Sequence, residues 1–205
     1  RPLGVRVRVS PSAPSNIHLN IENYNFDLPE QLIAKVPIDE RSSSRLLVVD
    51  DQLNDLNFSD ILDYLYEGDL LVINDTKVFK ARLDALKTTG GKVEILLERQ
   101  IDQHNALAMT KSNRPLKLND RLIIQNSEIT AEVSEKHDYL CSLKFSHNLD
   151  EVIENYGSIP IPPYMNRSPN QSDYERYQTV YADNTKERSS ASPTAGLHFE
   201  EKLLE

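Results

Sequence analysis

Chemistry in this chain is most readily placed at Pro193-Thr194-Ala195-Gly196-Leu197-His198-Phe199. Pro193 and Gly196 punctuate the stretch. Leu197, Phe199, Leu203 and Leu204 lead out of it as an apolar-periodic run, the pattern of a tight loop feeding a helix. Thr194 can cap such a helix, and Gly196 removes a Cβ where the backbone would approach a ligand. Unpaired first-turn amides would seat an anion or a carboxylate. His198, expected in the first turn, can hold or release a proton near neutral pH. The same residues also read as an ordinary loop-to-helix corner with a surface histidine.

A second polar cluster, Asn74-Asp75-Thr76-Lys77, directly follows Leu70 to Ile73, which reads as a buried strand. Polar side chains just beyond a buried strand are where α/β domains build sites; a turn whose Asn and Asp bond their own backbone is the alternative. Arg41 and Arg45 flank three serines, a set that can hold an anion or form a solvated turn. Tyr174, Tyr177 and Tyr181 recur at helical spacing, either to stack a flat base or as amphipathic core. There is no G-x-G-x-x-G, Gly-rich phosphate loop, H-E-x-x-H or G-x-S-x-G. A dinucleotide-type methyltransferase pattern is therefore missing from this part of the chain.

The elements expected to position these residues change in texture along the chain. Residues 1–22 read as a disordered leader or an artefact. Pro29 sits well at a first helical position, with Leu32, Ile33 and Val36 as a buried side. Leu46 to Val49 reads as a buried strand, and Asn57 or Ser59 as the cap of a helix carrying Ile61, Leu62 and Leu65. From Val78 to Phe145 short alternating runs are separated by turn residues, Thr88-Thr89-Gly90-Gly91 being the clearest hairpin loop. That predicts a small β-barrel inserted at 78–145 into an α/β (α+β) domain formed by 23–77 and 146–205. Helical patterning resumes at Leu149 with Val152 and Ile153 and stops at Gly157.

The 205 residues carry 23 Lys+Arg against 32 Asp+Glu, a formal −9 that at first sight disfavours nucleic acid. The average hides a segregation: Lys77 to Arg121 holds ten basic residues and five acids, +5 against −14 elsewhere. A polyanion could bind one part while the rest repels it. Lysines guarding the edges of a solvated sheet would give the same count. Cys141 is the single cysteine, which excludes an intramolecular disulfide and fits a reducing cytoplasm. No apolar run reaches the roughly 18 residues of a membrane span. The five histidines are too scattered to propose a metal site.

Five pieces in order carry a resemblance. They are Leu32-Ile33-Ala34 with Arg41 and Ser44 to Val48; Gly68 to Val78 followed by Ala81-Arg82-Leu83; Pro160 to Tyr164 with Arg167; Arg176 to Tyr181; and Pro193 to Phe199. Together the set resembles the S-adenosylmethionine:tRNA ribosyltransferase-isomerase family of queuosine biosynthesis, over about Asn23 to Glu205. The resemblance implies an enzyme that uses S-adenosylmethionine as a ribosyl donor. It would transfer and isomerise that ribosyl group onto 7-aminomethyl-7-deazaguanine at the tRNA wobble position, giving epoxyqueuosine-tRNA, adenine and methionine. It implies a cytoplasmic protein without a prosthetic group, S-adenosylmethionine being a co-substrate; we expect a monomer without a membrane partner.

Under that resemblance His198, Asp75 and Thr194 are the catalytic candidates. His198 would transfer a proton or bond the departing adenine, and Asp75 would receive a proton or balance the sulfonium. Asn74, Thr76 and Gln178 would orient ribose hydroxyls or base edges. Lys77, Arg82 and Arg167 would meet phosphate or the donor's carboxylate, and Tyr177 would stack. Arg45, Thr179, Pro193, Ala195, Gly196 and Phe199 complete the expected substrate-binding set. Two departures stand out: Lys186 to Ser192 is longer and more polar than the family's run, and the chain stops at Glu205 where family members continue. The expectation is a C-terminally truncated, incomplete α/β domain that does not turn over alone. A non-catalytic tRNA-binding module and an ordinary methyltransferase are the alternatives, separated by product.

Overall fold

A computed structural model describes residues 20–205. Residues 1–19, most of the expected leader, lie outside the described residues; Ile21 and Glu22 open a 3₁₀ turn, Ile21–Tyr24, whose N-cap is Asn20. The described residues form two compact units, one of 20–74, 163–166 and 198–205, the other of 75–162 and 167–197.

The second unit is organised by a closed antiparallel barrel. Its strands are β4 (Arg82–Lys87), β5 (Lys92–Gln100), β6 (Asn105–Ser112), β7 (Arg121–Ile124), β8 (Thr130–Lys136) and β9 (Cys141–Phe145). Around the wall they run β4-β5-β6-β9-β8-β7, and β7 closes on β4 through Ala85↔Ile124 and Lys87↔Leu122. Alternation read in the sequence becomes inward-facing Leu83, Val93, Ile95, Leu97, Leu122, Ile124, Val133, Leu143 and Phe145, all 2% exposed or less. Ala85, Ala106, Ala108 and Ala131 fill the narrow places, as a small barrel interior requires. Gly90, at φ +85, turns the Thr88–Gly91 hairpin.

One end of the barrel is plugged by α1 (Leu149–Tyr156), capped by the Asn148 side chain and burying Leu149, Val152 and Ile153. Burial of each such side chain stabilises by about 1.5–3 kcal/mol. Gly157 ends α1 because of proximity, since a Cβ there would lie 2.3 Å from the Lys80 carbonyl. The same unit contains β3 (Thr76–Val78) in parallel pairing with β10 (Asp183–Ser189), and the single turn α2 (Asp173–Arg176).

The first unit is lighter. β1 (Arg45–Val49) and β2 (Leu53–Asn57) form an antiparallel hairpin, followed by a 3₁₀ helix, Phe58–Tyr64, held by an Asn57/Asp60 capping box. α3 (Glu201–Leu204) is one turn.

Several local expectations differ. Leu46 to Val49 is a strand, but Leu47 and Val49 are exposed, because its partner is one short antiparallel strand rather than two covered faces. Leu70 to Ile73 has no regular structure. The helix after Pro29 is a three-residue 3₁₀ turn, Glu30–Leu32, with Leu32 and Val36 exposed. The Tyr174–Tyr181 spacing yields only α2, and part of the expected loop before Pro193 is β10. No helix among the described residues is long and apolar enough to cross a membrane.

Candidate functional site

Pro193 to His198 does not feed a continuous helix. Thr194–His198 is a 3₁₀ turn closed by Gly196 N–H donating to the Pro193 carbonyl at 2.8 Å, and helix resumes only at α3. His198 thus ends a turn instead of beginning a helix. What Gly196 provides is closeness. A Cβ there would lie 2.3 Å from the Tyr181 hydroxyl and 2.9 Å from Thr179 Cγ2. Thr179 is 5% exposed, and neither its hydroxyl nor that of Ser192 has a hydrogen-bond partner among the described residues. Burial pushes the Tyr181 hydroxyl above its ordinary pKa.

The segment that receives Gly196 is itself tied to β3. Gln178 grips the Val78 backbone with both ends of its amide, accepting from the N–H at 2.9 Å and donating to the carbonyl at 2.6 Å. Asp183 N–H donates to the Asp75 carbonyl at 2.8 Å, fixing the strand that carries Thr76 and Lys77 beside β10. Within the second unit, then, the Gly196 corner, Thr179, Gln178, and the Asp75-Thr76-Lys77 run form one connected framework. Gln178 is a backbone clamp there, not a free amide.

Two expected anion-binding arginines are likewise engaged. The Arg82 guanidinium donates to the Ile161 carbonyl at 3.0 Å and stands 3.8 Å from Glu94, holding the backbone at Ile161 against the barrel. Arg167 forms a two-pronged pair with Asp173, one contact being 2.8 Å, while Asn170 N–H donates to the same carboxylate at 2.7 Å. Arg167 holds the Asp173 carboxyl below its usual range. Tyr177 is half-buried at the C-terminal end of α2.

In the first unit His198 lies in a small aromatic and ionic nest. Its ring centroid is 5.2 Å from that of Phe58, and Phe199 meets Phe58 edge-on at 5.0 Å. Phe58 and Phe199 are both buried. Glu200 accepts from the Ser42 amide at 2.9 Å and its hydroxyl at 3.1 Å, which brings the Arg41–Ser43 turn to the same corner. Burial lowers the His198 pKa, and the Arg41 cation lowers it further. Both effects favour the neutral ring, the form able to accept a proton. Arg45 pairs with Asp55 across the β1–β2 hairpin on the exposed face. Asn74 is exposed in the same unit.

Phe58 and Glu200 were not among the expected site residues; Ser42 was expected only as part of an anion-holding or solvated turn, and Tyr181 only as a stacking or core tyrosine. Glu200 was within reach of sequence reasoning, lying two residues past His198 in a His-Phe-Glu run. Phe58 carried no signal, and the tyrosine spacing did not reveal that Tyr181 meets Gly196, because only folding sets these residues against His198 and Gly196. No group of three or more His, Cys, Asp or Glu side chains fit to hold a metal ion occurs among the described residues.

Comparison with known proteins adds an independent line. A family model described as "Queuosine biosynthesis protein" matches residues 21–205. An S-adenosylmethionine:tRNA ribosyltransferase-isomerase of Acinetobacter baylyi is 45% identical over 189 residues, covering 91% of this chain and 55% of the relative. Its counterpart in Acinetobacter baumannii strain AYE is 44% identical over 188 residues, covering 91% and 54%. The chain thus spans about half the length of the curated relatives it matches. The solved structure of an S-adenosylmethionine tRNA ribosyltransferase from Thermotoga maritima matches 88% of this chain and 52% of its own, at 25% identity and a TM-score of 0.35.

Proposed function

The chain belongs to the queuosine biosynthesis protein family, and from that premise we propose that its natural-length protein is a tRNA ribosyltransferase-isomerase. It takes the ribosyl group of S-adenosylmethionine, places it on 7-aminomethyl-7-deazaguanine at the tRNA wobble position, and releases adenine and methionine. The tRNA product carries epoxyqueuosine. The observation that carries this reading is the placement of His198, half-buried against Phe58 and directly downstream of Pro193-Thr194-Ala195-Gly196.

The reaction needs a proton removed beside the sulfonium and the departing adenine stabilised by a proton or hydrogen bond. A neutral imidazole flanked by a fixed cation suits the first task, and the protonated ring it becomes suits the second. We assign His198 to this transfer. Asp75 balances the sulfonium, and Thr194 positions the turn before the histidine. Asn74, Thr76, Lys77 and Tyr177 are assigned to substrate. Arg82, Arg167 and Gln178 hold the walls, as their structural bonds support. Arg45, Thr179, Pro193, Ala195, Gly196 and Phe199 are assigned to substrate binding as well. The barrel, proposed as an insertion at 78–145, presents the tRNA, and the protein is proposed to act in the cytoplasm as a monomer.

The test is incubation of natural-length protein with precursor-bearing tRNA and S-adenosylmethionine, followed by mass analysis of nucleosides and small products. Adenine plus methionine and epoxyqueuosine are expected. S-adenosylhomocysteine would instead mark a methyltransferase, and no turnover with intact tRNA binding a binding module.

A further inference from the structure

Barrel closure changes the meaning of the basic segment. A closed barrel has no sheet edge, so its lysines are not guarding one. The topology gathers them at one end instead. Three connections, 88–91, 113–120 and 137–140, meet at the end opposite α1. Residues 87–92, 111–121 and 135–140 hold seven basic residues against three acids, a formal +4. At the α1 end, 98–105, 125–129 and 146–156 hold one basic residue against six acids, −5. The two ends differ in pairing as well. Near α1, Lys80 pairs with Glu154 and Arg188 with Asp150. At the open end Lys92, Lys111, Arg114 and Lys117 are exposed and, among the described residues, enter no salt bridge.

The open end is also built to hold its shape. Lys87 donates to the Arg114 carbonyl at 2.7 Å from one side, and Lys136 to the Leu116 carbonyl at 2.8 Å from the other. Leu116 is buried in the barrel core, anchoring the same loop from below. Asn119, at φ 64, completes its turn. Beside the loop lies a shallow depression of about 370 Å³ lined by Lys111, Pro115, Lys136, His137 and Tyr139. Tyr139 is 77% exposed at the tip of its hairpin, a ring free to stack on a base.

We propose that this basic end of the barrel is the surface that grips the phosphate backbone of the tRNA, with Arg114 and Lys117 as principal phosphate contacts and Tyr139 as a stacking platform. The inference rests on the tRNA-modifying reading above and extends it from the site to the docking surface. The acidic remainder repels the polyanion and so restricts it to this end.

The test compares two natural-length variants that lose equal charge. R114S/K117S neutralises the open end; R99S/K202S neutralises two exposed cations elsewhere. Binding of precursor-bearing tRNA is measured from 50 to 200 mM salt. Each lost phosphate contact should flatten the log Kd against log salt slope by about 0.7–0.9. The open-end variant should therefore lose about 1.5 in slope and roughly tenfold in affinity near physiological salt, and the control less than a third of either. Wild-type affinity and slope in R114S/K117S overturn the proposal. So does an equal loss in the control, or binding of phosphatidylserine vesicles in place of tRNA through these residues. Product analysis on the wild type keeps the two readings apart. Adenine release with an indifferent open end sinks the docking surface alone; tRNA binding that depends on Arg114 and Lys117 without adenine release sinks the reaction alone.

Discussion

His198 draws its reactivity from its surroundings. Burial beside Phe58 and the Arg41 cation both disfavour its protonated form, so its pKa lies below the ordinary histidine range. If it is the proton-transfer group, His198→Ala in the natural-length protein should reduce turnover by about two orders of magnitude or more with tRNA affinity unchanged. A variant within a few-fold of wild type removes the assignment. The pH dependence follows in sign. A base must be neutral, so the acid limb of kcat/KM should fall below the free-histidine value of about 6.5. Arg41→Gln removes the cation and should move that limb upward, a shift a purely structural arginine would not cause. The same depressed pKa means the unfolded chain takes up the proton first. Stability from this group is intact above about pH 6.5 and falls as pH drops towards the folded value.

At the scale of elements, two packing contacts can be tested separately from chemistry. Gly196→Ala drives a Cβ into the Tyr181 hydroxyl and Thr179. We expect a loss of at least tenfold in activity, partly restored by adding Tyr181→Phe, which deletes the nearest atom. No rescue would mean that the glycine serves something other than this contact. The Arg167–Asp173 pair braces the short α2 turn, and Asp173 is 4% exposed. Asp173→Ala removes the carboxylate that takes both prongs of a largely buried guanidinium and should cost about 2–3 kcal/mol in urea unfolding. Because the folded Asp173 pKa is depressed, the pair's contribution stands above about pH 4 and is lost as pH falls through the folded value. These contacts also show what the sequence could reveal. The barrel strands were legible because one face of each is buried, so alternation survives as a period of two; Leu83 with Ala85 and Leu122 with Ile124 are examples. α1 was legible from Leu149, Val152, Ile153 and the stop at Gly157. Leu46 to Val49 and Leu70 to Ile73 misled because apolar runs imply burial only where something covers them, and the coverage is not local. Gln178, Arg82 and Arg167 look like ligand-binding groups by type; their engagement with Val78, Ile161 and Asp173 depends on partners about 100, 79 and 6 residues away.

For the whole chain, the decisive feature is how unevenly burial is divided between the two compact units. Of the buried hydrophobic side chains described, only Phe58 and Phe199 belong to the unit of 20–74, 163–166 and 198–205. The other unit owns the barrel core, Ala81 to Ile153, with every barrel strand paired on both sides. Opening free energy tracks buried apolar contact, and an isolated two-stranded hairpin is marginal in water. The chain should therefore open in parts. In a protein of these 205 residues, native-state hydrogen exchange should find the ladder amides of β5, β6 and β9 protected at least about 1,000-fold more than those of β1 and β2. Thermolysin should correspondingly cut first between residues 20 and 74, leaving a resistant fragment that begins near Asp75. Leu143→Ala, which opens a cavity at the barrel centre, should cost about 2–5 kcal/mol and abolish the resistance of that fragment. The same truncation at exposed Leu47 should leave it unchanged. Equal protection across β1, β2 and the barrel, or a first cut inside 82–145, would show a single cooperative body and defeat the division.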